Sequence, residues 1–273
     1  MLTGEALAIA VRELGLPQVE ARMLLAHASA RTQVSLIAHP EAELPADVAE
    51  VFLGLARRRQ SGEPVAYLLG EREFYGLSLR VSPGVLIPRP ETELLVDLVL
   101  ERLQGGSSLL DLGTGSGAIA LAVKSVRRAA RVSACDASEA ALAVARANAE
   151  RLKLEVEFLH GDWYAPVQGR RFSMLASNPP YICASDRHLG EGDLRFEPAS
   201  ALVGGEDGMR DLRTLVAGAG THLESGGWLV LEHGYDQAGA VQALLLGSGF
   251  RAVESRHDLA GIARCTLGQY YPD

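Results

Sequence analysis

The sequence predicts an α/β protein, with a doubly wound, mostly parallel sheet and a small N-terminal helical domain. From Pro90 onward, short apolar runs typical of buried strands alternate with segments of helical periodicity, which is the pattern of a parallel sheet. A glycine-rich turn directly follows the first of these strands. The first 60 residues, by contrast, show only helical periodicity, so we expect them to form a separate helical part.

The chain divides into three predicted parts. Residues 1–70 form the helical domain, whose first apolar stripe begins at Leu7 with Thr3 as the helix N-cap. Alternating residues and glycines over 71–87 predict a hairpin linker. The remaining 88–273 hold the sheet, with strands predicted at SLLDLG, RVSACD, VEFLHGD, FSMLASN, GWLVLEHG, FRAVESR and ARCTLG.

Composition excludes several classes of protein. The chain has 273 residues, 48% of them hydrophobic, and a net charge of −8. Residues 1–80 carry 8 basic and 10 acidic side chains and the remainder carries 18 and 24, so neither part is basic. We therefore expect no direct nucleic-acid partner.

Cysteine and histidine spacing predicts neither a disulfide framework nor a metal site. The three cysteines are widely spaced, and the histidines form no HxxH or HExxH pair. No run approaches 18 apolar residues, and the N-terminus lacks a basic region followed by a long apolar core. The sequence thus predicts a cytoplasmic protein with no membrane partner and no metal.

The first candidate site is the turn in LLDLGTGSGAIAL. Gly113, Gly115 and Gly117 follow the first strand and open a helix, and glycines let the backbone turn tightly and approach a ligand. The spacing also satisfies the loose dinucleotide fingerprint, and a tight turn without a ligand is a further alternative. Asp111 favours a different ligand, because a carboxylate here suits a cofactor with ammonium and sulfonium groups better than a pyrophosphate.

Polar side chains also follow the next two strands. Asp136 ends the second strand, where an acceptor would meet ribose hydroxyl groups. Asp162 and Trp163 end the third, where an acid can accept from an adenine amino group and an indole can cover a ring. Trp163 alone would be an ordinary core aromatic, but three successive strand ends with fitting chemistry favour a ligand.

The fourth strand delivers the tetrapeptide Asn178, Pro179, Pro180 and Tyr181 to the same edge of the sheet. The Asn178 amide offers one acceptor and two donors, and both proline carbonyls are free to accept. The group recognised should be planar and carry an NH₂, with one hydrogen held by Asn178 and one by a proline carbonyl. A loop that merely stops the strand is the alternative.

These motifs resemble class I S-adenosylmethionine-dependent methyltransferases and, more narrowly, the release factor glutamine methyltransferase family. The narrower resemblance rests on VAYLLGEREFYGLSLRVSPGVLIPRPETELL, LLDLGTGSGAIAL, ASNPPYI, LRFEPASALVGGEDG and LEHGYDQ, and it runs from about residue 60 to the C-terminus. It implies a Rossmann-like methyltransferase sheet that binds S-adenosylmethionine. It also implies that the enzyme methylates the side-chain amide nitrogen of the glutamine in the GGQ motif of class 1 peptide-chain release factors.

The resemblance also implies roles for individual residues. Asn178 and Tyr181 are the expected catalytic residues, and with Pro179 and Pro180 they bind the glutamine. The expected cofactor-binding residues are Asp111, Gly113, Thr114, Gly115, Ser116, Gly117, Asp136, Asp162, Trp163 and Asn178. The N-terminal helices would help to dock the release factor.

Alternatives from other classes share parts of this pattern. A ribosomal-protein glutamine methyltransferase is the nearest, but IPRPETE favours the release factor family. A DNA or RNA adenine amino-methyltransferase should show a basic face, which the charge balance does not supply. A nucleotide-binding module has no need of the tetrapeptide, and a dehydrogenase has no strong reason for Asp111.

Overall fold

A computed structural model describes residues 1–272, which divide into two compact units. One unit comprises Met1–Glu71 together with Gly190–Phe196, and the other comprises Arg72–Leu189 and the chain from Glu197 onward. The sequence-based boundaries place residues 190–196 in the 88–273 part. The difference arises because periodicity identifies helices and strands but gives no contacts for a segment between them.

The first unit is entirely helical and has its own apolar core. Its helices are α1 (Thr3–Ala8, continued by a π-helical turn over Ile9–Glu13), α2 (Gln18–Ser29), α3 (Gln33–Ala38), α4 (Ala46–Gln60) and α5 (Val65–Leu69). The N-cap prediction for Thr3 is wrong. Leu2 occupies the N-cap position, and the Thr3 hydroxyl, inside the helix, donates instead to the carbonyl oxygen of Ala42 at 3.0 Å.

An arginine of α4 ties the separate segment to this unit. Arg59 Nε donates to Glu20 Oε2 at 2.7 Å, and its Nη1 donates to Asp193 Oδ1 at 2.9 Å. One half-buried cation thus holds two carboxylates that lie far apart in sequence. Within residues 190–196, Gly192–Phe196 form a 3₁₀ turn, and this turn contains Asp193.

After α5 the chain forms a two-stranded sheet from β1 (Glu71–Phe74) and β2 (Leu77–Arg80). The connecting residues Tyr75 and Gly76 both have positive φ, as a two-residue type I′ turn requires. The backbone N–H of Tyr75 donates to Glu93 Oε1 at 2.8 Å, which anchors the turn to the following helix.

A seven-stranded sheet forms the centre of the second unit, and it confirms the predicted fold class. Its order is β5-β4-β3-β6-β7-β9-β8, with β3 to β7 parallel and β9 antiparallel to both of its neighbours. All seven predicted strands are present: β3 (Ser108–Leu112), β4 (Arg131–Asp136), β5 (Glu157–His160), β6 (Phe172–Ser177), β7 (Leu223–Glu232), β8 (Phe250–His257) and β9 (Ala263–Tyr270).

Helices cover both faces of this sheet. They are α6 (Glu93–Arg102), α7 (Ala118–Val126), α8 (Glu139–Leu152), α9 (Arg210–His222) and α10 (Ala238–Gly247). Successive side chains of a strand point to opposite faces, so Leu109 joins one apolar core while Leu110 and Leu112 join the other. This double burial explains why the strands read as continuous apolar runs rather than alternating ones.

The chain order changes direction between β3 and β6. Strands β4 and β5 lie on one side of β3, and β6 and β7 lie on the other. In open parallel sheets, ligands bind outside the carboxyl ends of the strands at such a switch point. No helix within residues 1–272 has both the length and the hydropathy needed to cross a bilayer.

Candidate active site

The glycine-rich turn adopts a backbone that only glycine accepts readily. Gly113, Gly115 and Gly117 have φ values of 74°, 57° and 85°. A Cβ on Gly113 would lie 3.2 Å from the Trp163 ring, and one on Gly117 would lie 3.0 Å from the Leu121 side chain. The turn therefore packs closely on both sides and leads directly into α7.

Asp111 lies under this turn, where its side chain is enclosed by the protein. It shares the α7 face of the sheet with Leu109 and is fully buried. Its Oδ2 accepts from the Thr114 hydroxyl at 2.6 Å and from the Ala120 N–H at 3.2 Å, whereas its Oδ1 has no partner within residues 1–272. Burial raises the Asp111 pKa to about 7, although both hydrogen bonds lower it.

Asp136 connects two backbone segments at the end of β4. Its Oδ2 accepts from the Gly115 N–H and its Oδ1 accepts from the Ser138 N–H, each at 2.8 Å. A carboxylate has about four acceptor sites, so these two bonds leave lone pairs for a hydroxyl donor. The half-buried side chain lines a cavity, as a ribose-binding acid should.

The turn after β5 places Trp163 against the glycine turn and Asp162 beside it in the cavity wall. Trp163 has a φ of +44°, which is uncommon for a bulky residue and is found mostly where the surrounding structure imposes it. Its carbonyl oxygen accepts from Cys135 Sγ at 3.2 Å, and its ring lies near Gly113. Trp163 thus serves as both core and cavity wall.

A cavity of about 520 Å³ opens at the carboxyl edge of the sheet, a size typical of small-molecule sites. The predicted residues in its wall are Gly113, Gly115, Asp136, Asp162, Trp163, Asn178 and Pro180. The predicted residues that do not line it are Asp111, Thr114, Ser116, Gly117, Pro179 and Tyr181. The residues that do not line the cavity belong to the same turns and strand ends as the wall residues.

The tetrapeptide presents Asn178 to the cavity from a fixed direction. Asn178 Nδ2 donates to Thr92 Oγ1 at 3.2 Å, and within residues 1–272 the Oδ1 atom makes no hydrogen bond. No backbone N–H of the described chain donates to the carbonyl oxygen of Pro179 or Pro180. These are the acceptors that the sequence predicts for a substrate NH₂.

Tyr181 points away from the predicted substrate position. Its ring packs against the core beside α9 and α10, and its hydroxyl donates to Glu232 Oε1 at 3.3 Å. Burial raises its pKa well above the ordinary value, so the phenol stays protonated. In this arrangement Tyr181 supports the tetrapeptide rather than offering a flat face to the cavity.

A following segment fixes the tetrapeptide from outside the sheet. Ile182 and Val203 form a parallel β-bridge, and Gln237 Nε2 donates to the Tyr181 carbonyl oxygen at 3.0 Å. A Cβ on Gly204 would overlap the carbonyl oxygen of Pro180, and one on Gly208 would overlap that of Tyr181. Glycine is therefore required at the first and last positions of the GGEDG run, because the backbone there touches the backbone of the tetrapeptide.

Several site residues were not predicted from the sequence. Gly84, Val85 and Leu86 form one part of the cavity wall, and Arg210 and Asp211 form another. Arg210 holds Asp211 through two hydrogen bonds, of 3.1 and 2.8 Å. Both segments lie inside or beside the family-like runs quoted above, but neither follows a parallel strand, so the strand-end argument could not reach them.

The residues present fit S-adenosylmethionine. Asp111 has an unpartnered buried oxygen, which suits a nearby cationic group, and Gly115 in the cavity wall has open space where a Cβ would project. Asp136 retains acceptor capacity, and Trp163 supplies an aromatic wall. Within residues 1–272 no three or more His, Cys, Asp or Glu side chains are grouped so as to hold a metal ion.

Family models match two parts of the chain. Residues 90–191 match the methyltransferase small domain, and residues 6–70 match the PrmC N-terminal domain. A release factor glutamine methyltransferase of Neisseria gonorrhoeae is 50% identical over 258 residues, which is 93% of this chain and 94% of the relative. One from Burkholderia pseudomallei is 51% identical over 263 residues, covering 93% and 92%.

Solved structures support the fold alone. A methyltransferase from Pyrococcus furiosus superposes with a TM-score of 0.57 at 22% identity, over 72% of this chain and 90% of that one. A 16S rRNA methyltransferase of T. thermophilus gives a TM-score of 0.54, also at 22% identity, over 73% of this chain and 49% of that one.

Proposed function

The chain belongs to the release factor glutamine methyltransferase family, and from that premise we propose that it methylates the side-chain amide nitrogen of the GGQ glutamine in class 1 peptide-chain release factors. Its methyl donor is S-adenosylmethionine. The observation that carries the proposal is the Asn178 amide, whose Nδ2 is held by Thr92 while Oδ1 remains open in a cavity wall that also contains Asp136 and Trp163.

The cofactor would lie along three strand ends. The glycine turn would hold its methionine part above the buried Asp111, Asp136 would accept from a ribose hydroxyl, and Asp162 with Trp163 would enclose the adenine. When bound, the cofactor supplies an electrophilic methyl group on a positively charged sulfur. The chain's own part is to bind and orient, because the wall residues are already fixed by backbone hydrogen bonds such as Gly115 to Asp136.

The difficulty of the reaction lies in the nucleophile. The lone pair of an amide nitrogen is delocalised into its carbonyl, so the nitrogen reacts only when it is well aligned with the methyl group. Asn178 Oδ1 and a proline carbonyl would accept the two N–H hydrogens and orient the nitrogen. These bonds strengthen as positive charge develops on that nitrogen, so they stabilise the transition state more than the bound substrate. The N–H proton becomes acidic only as the methyl group arrives, so it is lost to water after transfer and no deprotonation is required beforehand.

We assign the helical unit, Met1–Glu71 with Gly190–Phe196, to docking of the release factor. It has its own core and contributes no residue to the cavity described above. The negative charge of the chain is consistent with a protein substrate and with no direct nucleic-acid partner. The sequence-based boundaries of 1–70, 71–87 and 88–273 stay a prediction.

The proposal is tested by incubating the enzyme with labelled S-adenosylmethionine and a purified class 1 release factor. We expect one methyl group in a single GGQ-containing peptide, seen by peptide mass mapping, and none on duplex DNA or RNA. A Gln→Ala change in the GGQ motif should abolish labelling. Labelling of another residue, or of nucleic acid instead, would contradict the assignment.

A further inference from the structure

Two buried polar side chains lie directly behind the tetrapeptide. Thr92 ends the 3₁₀ turn that precedes α6, and Glu232 is the last residue of β7. They are 4% and 1% exposed. Thr92 Oγ1 accepts from Asn178 Nδ2 at 3.2 Å, and Glu232 Oε1 accepts from the Tyr181 hydroxyl at 3.3 Å. Each of these two side chains therefore accepts a hydrogen bond from one residue of the tetrapeptide.

The direction of these hydrogen bonds is fixed by what each group can donate. An ionised carboxylate only accepts, and a threonine hydroxyl has a single hydrogen. Thr92 is among the groups close enough to Glu232 to lower the pKa of its carboxyl group. With its hydroxyl hydrogen directed at that carboxylate, the Thr92 oxygen accepts, and Asn178 turns its NH₂ towards it. The Asn178 Oδ1 is then the end of the amide left for the cavity.

We propose that Glu232 and Thr92 are positioning residues that fix the Asn178 amide with its oxygen facing the substrate nitrogen. The inference rests on the proposed function, in which Asn178 Oδ1 accepts from the glutamine NH₂. The two ends of an asparagine amide have nearly the same shape, so packing alone does not select one. With the amide reversed, Asn178 would present N–H groups to the N–H groups of the substrate and repel them.

The cost of keeping Glu232 in this place supports a role beyond folding. A buried carboxylate destabilises a protein when its oxygens lack hydrogen-bond or ion-pair partners. Within residues 1–272, Glu232 Oε2 is buried and has no hydrogen-bond partner. Burial raises its pKa to about 7; the Thr92 and Tyr181 hydroxyls and the positive charge of Arg264 oppose that rise, and Glu91 adds to it. A perturbed carboxylate beside a reaction site is typical of a functional group.

Thr92→Val tests the inference because it removes the hydroxyl and keeps the shape. In single-turnover assays at pH 8, with saturating cofactor and release factor, we expect the rate of transfer to fall about 10- to 100-fold through misplacement of the amide. Cofactor affinity should change less than about twofold, since Thr92 does not line the cavity. Thr92→Ser retains a hydroxyl and should restore most of the rate.

Non-additivity separates positioning from a general loss of structure. Because Thr92 acts through Asn178, Thr92→Val should have almost no further effect on the residual rate of an Asn178→Ala enzyme. Glu232→Gln, whose new amide can donate to Thr92, should slow transfer in the parent and likewise not in Asn178→Ala. It provides the same test if Thr92→Val fails to fold.

Thr266→Val is the matched control. Thr266 is also fully buried and hydroxyl-bonded, to His233 Nε2 at 2.8 Å, but within residues 1–272 no hydrogen bond joins it to the tetrapeptide. Thr266→Val should lower the melting temperature and leave the rate of methyl transfer within about twofold of the parent rate, as expected for a residue that does not act through Asn178. A normal rate in Thr92→Val, or independent losses in the double variant, would overturn the inference. A parent enzyme inactive on the GGQ glutamine would instead contradict the proposed function.

Discussion

The backbone N–H of Gly115 donates to Asp136 Oδ2 over 2.8 Å, so the glycine turn after β3 is bound to the acid at the end of β4. The other oxygen of Asp136 accepts from the Ser138 N–H at the start of α8. One carboxylate therefore sets the spacing between two adjacent strand ends before any ligand binds. Because the groups of such a preformed site are already ordered, ligand binding costs little conformational entropy.

Asp136→Ala should weaken the binding of S-adenosylmethionine by about 1–3 kcal/mol, the cost of removing a charged hydrogen-bond acceptor. Isothermal titration calorimetry measures this directly, and NADH should not bind to the parent protein. Asp47→Ala, an exposed aspartate in the helical unit, is the control and should bind normally. Unchanged affinity in Asp136→Ala would remove that residue from the ribose-binding role.

Asn178→Ala should lower kcat more than it raises KM for the release factor, because the lost bond is strongest in the transition state. A single bond of this kind contributes about 10²–10³ in rate. Single-turnover methylation with saturating cofactor measures the loss, and a thermal melt shows whether the variant is folded. A stable Asn178→Ala protein with the parent rate would mean that the tetrapeptide only ends the strand.

Tyr181 should stabilise the tetrapeptide by packing in the core, without contacting the substrate. Tyr181→Phe loses only the hydrogen bond to Glu232, whereas Tyr181→Ala also empties part of the core beside α9 and α10. We expect Tyr181→Ala to lower the free energy of unfolding by about 3–5 kcal/mol, as for other buried aromatics. Tyr181→Phe should cost less in both stability and rate. Urea denaturation of the pair gives the comparison, and equal losses would contradict it.

Gly204→Ala should disturb the tetrapeptide from outside the cavity. A Cβ at Gly204 would overlap the Pro180 carbonyl oxygen, so one of the two backbones must shift, at a cost of about 1–3 kcal/mol. Gly239, near the start of α10, provides the matched control, because a Cβ there would project into open space. Gly239→Ala should change stability by less than about 1 kcal/mol and leave methyl transfer unaffected.

The stability of the protein should depend on pH through Glu232. Burial raises its pKa from 4.5 to about 7 in the folded chain, so the folded state binds a proton more tightly than the unfolded state between these values. Glu232 therefore contributes stability that is fully present below about pH 4.5 and lost as pH rises through 7, by up to about 3 kcal/mol. Glu232→Gln should abolish this contribution. Urea denaturation of both proteins at pH 5 and pH 8 tests the sign, and a parent that gained stability relative to the variant on going to pH 8 would contradict it.

The amino-acid sequence by itself determined the strands, the helical first part and the chemistry at the strand ends. Apolar runs bounded by glycine or proline specify buried strands locally, and Pro179 and Pro180 stop β6 because neither can donate a backbone hydrogen bond. Parallel strands carry their carboxyl ends to one edge, so Asp136 and Asn178 could be assigned to one site before their distance was known.

Only the tertiary structure decided which polar groups face the cavity and which support it. Asp111 and Tyr181 carry the expected chemistry, but the face of the strand buries the first under α7 and core packing turns the second towards Glu232. The bond from Asn178 to Thr92 joins residues 86 positions apart. Local periodicity carries no information about such a pair, because a side-chain hydrogen bond depends on the order of strands and on burial, and both are set by packing of the whole sheet.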